Sequence, residues 1–522
     1  VLKNPPSMCT HYNRSRYAIA GEGVVVAHID HHTGGAPANS PNGASEPDLF
    51  RFGRLFEQHI DCLKKLAGSM STGDGGGDSQ LHSGYTYLGQ FIAHEITFDK
   101  TKDLPLPQPI SANARSPQFD LDSLYGKGPE SSGDLYESDS ALLKIGSTSP
   151  FGPLPSRPND LPRDPNTGKA LIGDERNDEN LAVAQLHVAL IKFHNLVVEN
   201  LRPTCPAAQL FETAREEVVR HFQWIVVHDY LRKILDTTVL DKVVEHGPNL
   251  LNVDNQAALF IPIEFSVAAF RFGHSMVRKT YEWNYFHSKE IASKHPAAAL
   301  SQLFMQTAFS GTIGKTSDGA PILRLPSDWI IDWRRFFDFS GILEDGAPKY
   351  KPPKTGPNLA RKIDTFIDMD LASMQHFPQA EIPEGSRSIA ARNLLRGFAL
   401  GLPSAEEVAA WIDEASPLTR QEIVSGHEDC FNTPSLTGRT PLWYYILKEA
   451  EVKRGGNGLG SLGSRIVAET LIALIKNSRY SILDGSGWHP NIKYGRPGSA
   501  TEPVIFEMVD LLHRADVVNP LG

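Results

Sequence analysis

The stretch LAVAQLHVALIKFHNLVVENL, residues 181–201, decides the class of fold. Its apolar residues recur at helical spacing, so it reads as a strong helix. His187 and His194 share a face with Leu190 and Ile191, the pattern of buried structural histidines. Working outward, TAREEVVRHFQWIVVHDYLRKIL (213–235) and PIEFSVAAFRFGHSMV (262–277) read as further helices. Upstream, LFRFGRLFEQHIDCLKKLA (49–67) reads as a helix beginning near Pro47-Asp48, and the run from Tyr87 to Thr97 is apolar with polar punctuation. Helices return from Ser388 to the end. Between them, residues 104–163 and 284–360 are dense in Pro, Gly and Ser and predict long ordered loops around a core. Few segments alternate with period two. The expected class is mainly α, with long wrapping loops and little β structure.

Composition narrows the partners. The 522 residues are 40% hydrophobic and 21% charged, enough for a substantial core in one large helical domain or several smaller ones. A net charge of −10 with no basic stripe argues against nucleic acid. The four cysteines, Cys9, Cys62, Cys205 and Cys430, are scattered, with no CxxC pair, and are read here as reduced thiols. The opening VLKNPPSMC lacks a basic n-region and an apolar h-region, although a chain that does not begin with Met leaves a removed leader open. Ile466 to Ile475 is too short to span a bilayer and contains Glu469, so no transmembrane segment is expected. The chain reads as soluble, with cytoplasm and secretion both open. Residues 1–48, rich in Gly, Pro, Ser and His, read as an irregular extension.

Four separated segments carry the chemistry. They are Gly89-Gln90-Phe91-Ile92-Ala93-His94-Glu95; Ser116 to Gly126, with Gln118, Asp120 and Asp122; Gly173-Asp174-Glu175-Arg176-Asn177-Asp178-Glu179, running into Leu186-His187 and His194-Asn195; and Phe270-Arg271-Phe272-Gly273-His274, with Asn393-Leu394-Leu395-Arg396-Gly397 downstream. Singly, each has an ordinary reading: a core histidine, an Asp-rich turn, a solvated arginine. In this order and at these separations they resemble the animal-type haem peroxidases. That superfamily includes the mammalian peroxidases, the cyclooxygenases, the plant α-dioxygenases and many bacterial members. The resemblance runs from about residue 50 to about residue 485, which makes 49–522 the expected catalytic domain.

The resemblance implies a role for each residue. His274 becomes the proximal ligand of haem b, a neutral imidazole that leaves the opposite face of the iron open. Asn393 would accept a hydrogen bond from its other ring nitrogen. His94 becomes the distal acid–base, Arg176 the cation beside the breaking O–O bond, and Gln90 a donor above the haem. Arg396 and Arg271 are expected at haem propionates. Glu95, Asp120, Asp122, Ser116 and the Gln118 carbonyl make an oxygen-rich set suited to Ca²⁺, anchoring the helix of His94. The implied reactants are hydrogen peroxide and a small reducing substrate or halide.

Departures from the family pattern matter as much. Ala93 stands where the family places one ester-forming Asp, while Glu179 keeps the second, so at most one haem ester is expected. Asn180 replaces the Met of the sulfonium link. Arg271 stands where the oxygenase branches carry the Tyr that becomes the substrate-attacking radical, which favours peroxidase over fatty-acid dioxygenase. Tyr85, Tyr87 and Tyr125 are candidates for positions near the haem. Two motifs read as decoys: Gly458-Leu459-Gly460-Ser461-Leu462-Gly463 lacks the strand that a dinucleotide site requires, and His28-Ile29-Asp30-His31-His32 sits in the irregular extension.

Overall fold

The computed structural model describes residues 49–72 (side chains from 59), 75–98, 115–250, 261–290, 297–307, 322–368, 388–412 and 414–522, with the short pair 24–25 and 112–113 and a few isolated positions. Among the described residues, the helices that frame the site and its surroundings include α1 (Leu49–Met70), α2 (Gly84–Ile96), α3 (Leu181–Leu201), α4 (Ala207–Trp224), α5 (Thr237–His246), α6 (Ile389–Ala399), α7 (Leu442–Arg454), α8 (Ser461–Lys476) and α9 (Met508–Arg514). Among the described residues, strands form only two-stranded antiparallel ribbons, such as Asp78–His82 against Leu359–Arg361. The fold is mainly α, as its sequence predicts. The His28–His32 cluster lies outside the described residues.

Helix α3 is apolar all round because it is enclosed, packing against α2, α4 and α9. By length and composition it is apolar enough to cross a membrane, but 83% of its most apolar window is buried inside the chain. Asn180 caps it, its side-chain oxygen accepting the Val183 N–H at 3.0 Å, a contribution of about 1 kcal/mol. One contiguous apolar core runs from Leu63 to Val518. Cys62, Cys205 and Cys430 form no disulfide.

Two predicted helices depart from α geometry, and both departures face the site. The 213–235 stretch widens into a π-turn at Ile225–Tyr230 before resuming at Leu231. That turn aims two residues at α2: Asp229 accepts the Tyr85 hydroxyl at 2.6 Å, and the Tyr230 hydroxyl presses on Gly89, where a Cβ would collide with it. The 262–277 stretch is not an α-helix either. It runs as a π-turn at Glu264–Ala268 and then a 3₁₀ turn at Ala269–His274, with an abrupt backbone break at Ala268 (φ −125°, ψ −72°). A wide turn feeding a tight one re-aims the end of the segment and places His274 at its last position.

The glycine-rich decoy has a structural explanation. Glu449 fills the N-terminus of α8, its carboxylate accepting the N–H groups of Leu462 (3.1 Å) and Gly463 (3.2 Å). A phosphate would find that position taken.

Candidate active site

Gln90 and His94 lie one turn apart on α2 and share a face, while Glu95 points about 100° away. This divides the helix between two tasks. His94 is 8% exposed, and its Nδ1 lies 2.9 Å from Asn177 Oδ1. Burial, helped by the Arg176 charge, pushes its pKa down to about 4, so the imidazole is neutral near pH 7. Asn177 Nδ2 reaches His187 Nδ1 at 3.1 Å. Gln90 Oε1 accepts from Asn180 Nδ2 at 2.8 Å.

Arg176 is clamped by Asp174. Its Nε donates to Oδ1 at 3.0 Å and its Nη2 to Oδ2 at 2.6 Å, while Nη2 also reaches the His94 carbonyl at 2.7 Å. The guanidinium lies 4.3 Å above the Phe98 ring. Burial alone would push the Asp174 carboxyl up; the Arg176 hydrogen bond and the charges of Arg176 and Arg115 hold it at about 2.

One short turn therefore fixes three side chains. Asp174 holds Arg176, Asn177 holds His94 and Asn180 holds Gln90, each spaced three residues from the next across the 3₁₀ turn at Glu175–Asp178. Asn177 lies inside the turn, while Asp174 and Asn180 flank it with extended backbone, Asp174 capping the 3₁₀ turn and Asn180 capping α3. The sequence showed Gly-Asp-x-Arg as a motif but gave no role to Asp174, Asn177 or Asn180; the spacing of three polar residues before an apolar helix was the available signal.

The proximal residues also come together, with one difference. Asn393 is 1% exposed on α6, and its amide lies 2.8 Å from His274 Nδ1. Arg271 Nη1 donates to Asn393 Oδ1 at 3.0 Å, and Arg271 Nε to the Ser266 carbonyl at 3.0 Å. Because guanidinium can only donate, it claims the amide oxygen, and Asn393 Nδ2 is the atom that faces His274. Ligation through Nε2 needs a proton on Nδ1, hence an Asn393 oxygen shared between Arg271 and His274. Burial, with Arg271 and Arg392, pushes the His274 pKa down to about 3, which suits a neutral ligand. Helix α2 packs directly on the turn that carries His274. Arg396 lies half-buried on α6, one turn past Asn393.

Glu179 ends the distal turn, its carboxyl pushed up to about 7, mainly by burial. Tyr85 and Tyr125 are committed elsewhere, to Asp229 and to His194 Nδ1 (3.1 Å) respectively. His194 also meets the Ala141 carbonyl at 2.8 Å, a structural role. His187 stands closer to the chemistry than its helical face suggested, through Asn177.

Glu95 turns to the second task. Its two oxygens accept the backbone N–H groups of Asp122 and Ser123, both at 3.2 Å. Carboxylate oxygens of Glu95, Asp120 and Asp122 lie within 4.8 Å of one another. Burial and then the neighbouring Asp122 and Asp120 push the Glu95 pKa well up, the strain a cation would relieve. Asp120 Oδ1 and Ser123 Oγ are buried without a partner. These are hard oxygen donors, and a Ca²⁺ ion fits their chemistry. Ser116 and Gln118 lie half-buried on the same loop, four and two residues before Asp120. Sequence reasoning missed Arg115, which bridges the two tasks: Nη1 meets Asp122 Oδ1 at 3.1 Å, and Nε meets Asp174 Oδ2 at 2.9 Å.

Gly173 lets the two loops touch. A Cβ there would sit 2.6 Å from the backbone oxygens of Asp122 and Ser123. Gly173→Ala is expected to destabilise the chain by about 1–3 kcal/mol and to weaken calcium retention; thermal unfolding with and without calcium checks both effects.

Comparison with known proteins bears on the family and the fold. The animal haem peroxidase family model matches residues 90–320. Peroxidase mlt-7 of Caenorhabditis elegans is 31% identical over 123 residues, which are 23% of this chain and 16% of that protein. Thyroid peroxidase of Sus scrofa is 28% identical over 177 residues, 30% of this chain and 19% of the relative. These relatives are thus matched over less than a fifth of their length. Among solved structures, peroxidase A of Dictyostelium discoideum superposes with a TM-score of 0.56 at 16% identity, covering 80% of this chain and 83% of that one. The fatty acid α-dioxygenase of Oryza sativa gives a TM-score of 0.54 at 13% identity, covering 87% and 76%. Over residues 90–320 the chain is similar to the animal haem peroxidases, and the comparisons together support that superfamily.

Proposed function

We propose that the chain is a haem peroxidase that reduces hydrogen peroxide and oxidises small organic donors, phenol-like, or halides. The observation that carries this reading is the single turn, Asp174 to Asn180, which presents Arg176, His94 and Gln90 together. His274 and the distal residues would hold haem b, which would supply redox chemistry toward peroxide. His94, with its Nδ1 proton committed to Asn177, keeps Nε2 to take a proton from peroxide and return it to the departing oxygen. Arg176 offers a fixed cation to the developing negative charge, and its clamp on Asp174 means little reorganisation is needed. Gln90, its oxygen occupied by Asn180, turns its amide N–H groups outward as donors. Arg396 is assigned to a propionate, Arg271 to bracing Asn393 and, through its remaining donors, to a propionate, Glu179 to a single ester, and the Glu95–Asp120–Asp122 cluster with Ser116 and Gln118 to Ca²⁺.

The dioxygenase alternative lacks its phenol: Arg271 stands in that place and is engaged with Ser266 and Asn393. Turnover of a phenolic dye with peroxide is expected, with no rapid oxygen uptake on linoleate; rapid uptake without dye oxidation would reverse the assignment. For the ester, acid–acetone extraction is expected to leave haem on the wild-type chain after peroxide treatment and to release it from Glu179→Gln.

A further inference from the structure

Asn177 is fully buried and meets a histidine at each end of its amide. Oδ1 lies 2.9 Å from His94 Nδ1, and Nδ2 lies 3.1 Å from His187 Nδ1. An amide oxygen only accepts and an amide nitrogen only donates, so the contacts dictate proton positions. His94 must carry its proton on Nδ1, and His187 must leave Nδ1 bare. Neutral His187 then keeps its own proton on Nε2. Its burial on α3, at 1% exposure, pushes its pKa to about 3 and keeps it neutral. The amide is anchored at its backbone too, Asn177 N–H donating to the Asp174 carbonyl at 3.0 Å.

We propose that Asn177, oriented by His187, is a positioning residue that holds His94 in the Nδ1–H tautomer and so keeps its Nε2 lone pair available. The consequence is directional. A reversed amide would present its NH₂ to His94 Nδ1 and move the His94 proton to Nε2. That atom would then be a donor, unable to accept from a substrate. A histidine in the wrong tautomer loses most of its power as a base even when its place is unchanged. The contact explains why a polar Asn on the 3₁₀ turn is buried against a His on the largely apolar helix α3. It rests on the peroxidase reading only for its consequence in turnover, not for the tautomer itself.

Ring-¹⁵N-histidine labelling of the full chain tests it, with the protein reduced under carbon monoxide so that bound haem is diamagnetic. The wild type is expected to show a pyrrole-type Nδ1 and a pyridine-type Nε2 for His94, and the reverse for His187. In Asn177→Leu the His94 pattern should become mixed, and the reaction with peroxide should slow about 10–100-fold, as loss of such orienting partners typically does, with haem content unchanged. Asn177→Asp keeps the acceptor and should restore most of the rate. His187→Leu, which frees the amide to turn, should also mix the His94 signal. A wild-type His94 protonated at Nε2 would overturn the proposal even if no variant folds. So would an unchanged pattern and rate in Asn177→Leu. A wild type that shows the expected tautomers yet consumes no peroxide would sink the peroxidase reading and leave this inference standing.

Discussion

His94→Ala is expected to slow the reaction of the haem-loaded chain with hydrogen peroxide by about 10²–10⁴-fold, the range a positioned general acid–base contributes. The reason lies in what else remains. Arg176 stays clamped by Asp174, and Gln90 stays held by Asn180, so charge stabilisation survives while proton transfer does not. Among the described residues, the His94 side chain bonds to Asn177 and to no proximal residue. Haem content should therefore match the wild type. Stopped-flow mixing with peroxide reads the second-order rate, and added imidazole should recover part of it by occupying the vacated space. A variant within threefold of wild type would remove His94 from the mechanism. The neutral imidazole also sets a pH expectation. With its pKa depressed to about 4, the base stays competent down to roughly that pH rather than failing near 6.5.

How much of this was legible in the sequence differs by level. Helix α3 was readable because apolar residues dominate its twenty-one positions on every side, a pattern that buried helices share whatever surrounds them. The ligand-type residues were readable because motif order survives divergence. What stayed hidden was geometry without a periodic signature. PIEFSVAAFRFGHSMV has helical composition, and nothing local announces that it divides into a π-turn and a 3₁₀ turn at Ala268. Packing on α6, α7 and α8 decides that. Arg115 was equally invisible. It falls in a Ser- and Pro-rich loop, and its importance comes from Asp174, 59 residues on, and from Asp122. Long-range charge pairing has no sequence spacing. Asn393 was expected to turn its oxygen to His274, whereas here its Nδ2 faces that ring because Arg271, 122 residues away in sequence, takes the oxygen.

Asp174→Asn is expected to be the most damaging single change to stability. The wild-type carboxylate is fully buried and takes hydrogen bonds from two guanidinium groups and from the Arg176 backbone N–H, at 3.0 Å for the last. Asn keeps the shape and one acceptor oxygen but removes the charge. Arg176 and Arg115 would then remain largely buried with their shared partner gone, leaving Arg115 with Asp122 and the neighbouring Glu95 as counter-charges. Breaking a buried pair on one side costs about 3–5 kcal/mol, more than the pair contributes over an apolar replacement, because the surviving charge stays desolvated. Denaturant titration of both proteins measures it; a loss under 1 kcal/mol would show that the clamp carries little. The pH dependence gives a second check with a fixed sign. A carboxyl held at about 2 in the folded chain, against roughly 3.9 when unfolded, stabilises fully above the unfolded value and loses that contribution as pH falls through the folded one. The wild-type advantage over Asp174→Asn should therefore be flat above about pH 5 and shrink between about pH 4 and pH 2. Calcium should respond as well. Freed from Asp174, Arg115 can commit wholly to Asp122 and compete with a cation for that carboxylate, so calcium affinity measured by calorimetry should fall in Asp174→Asn although no proposed calcium ligand has been altered.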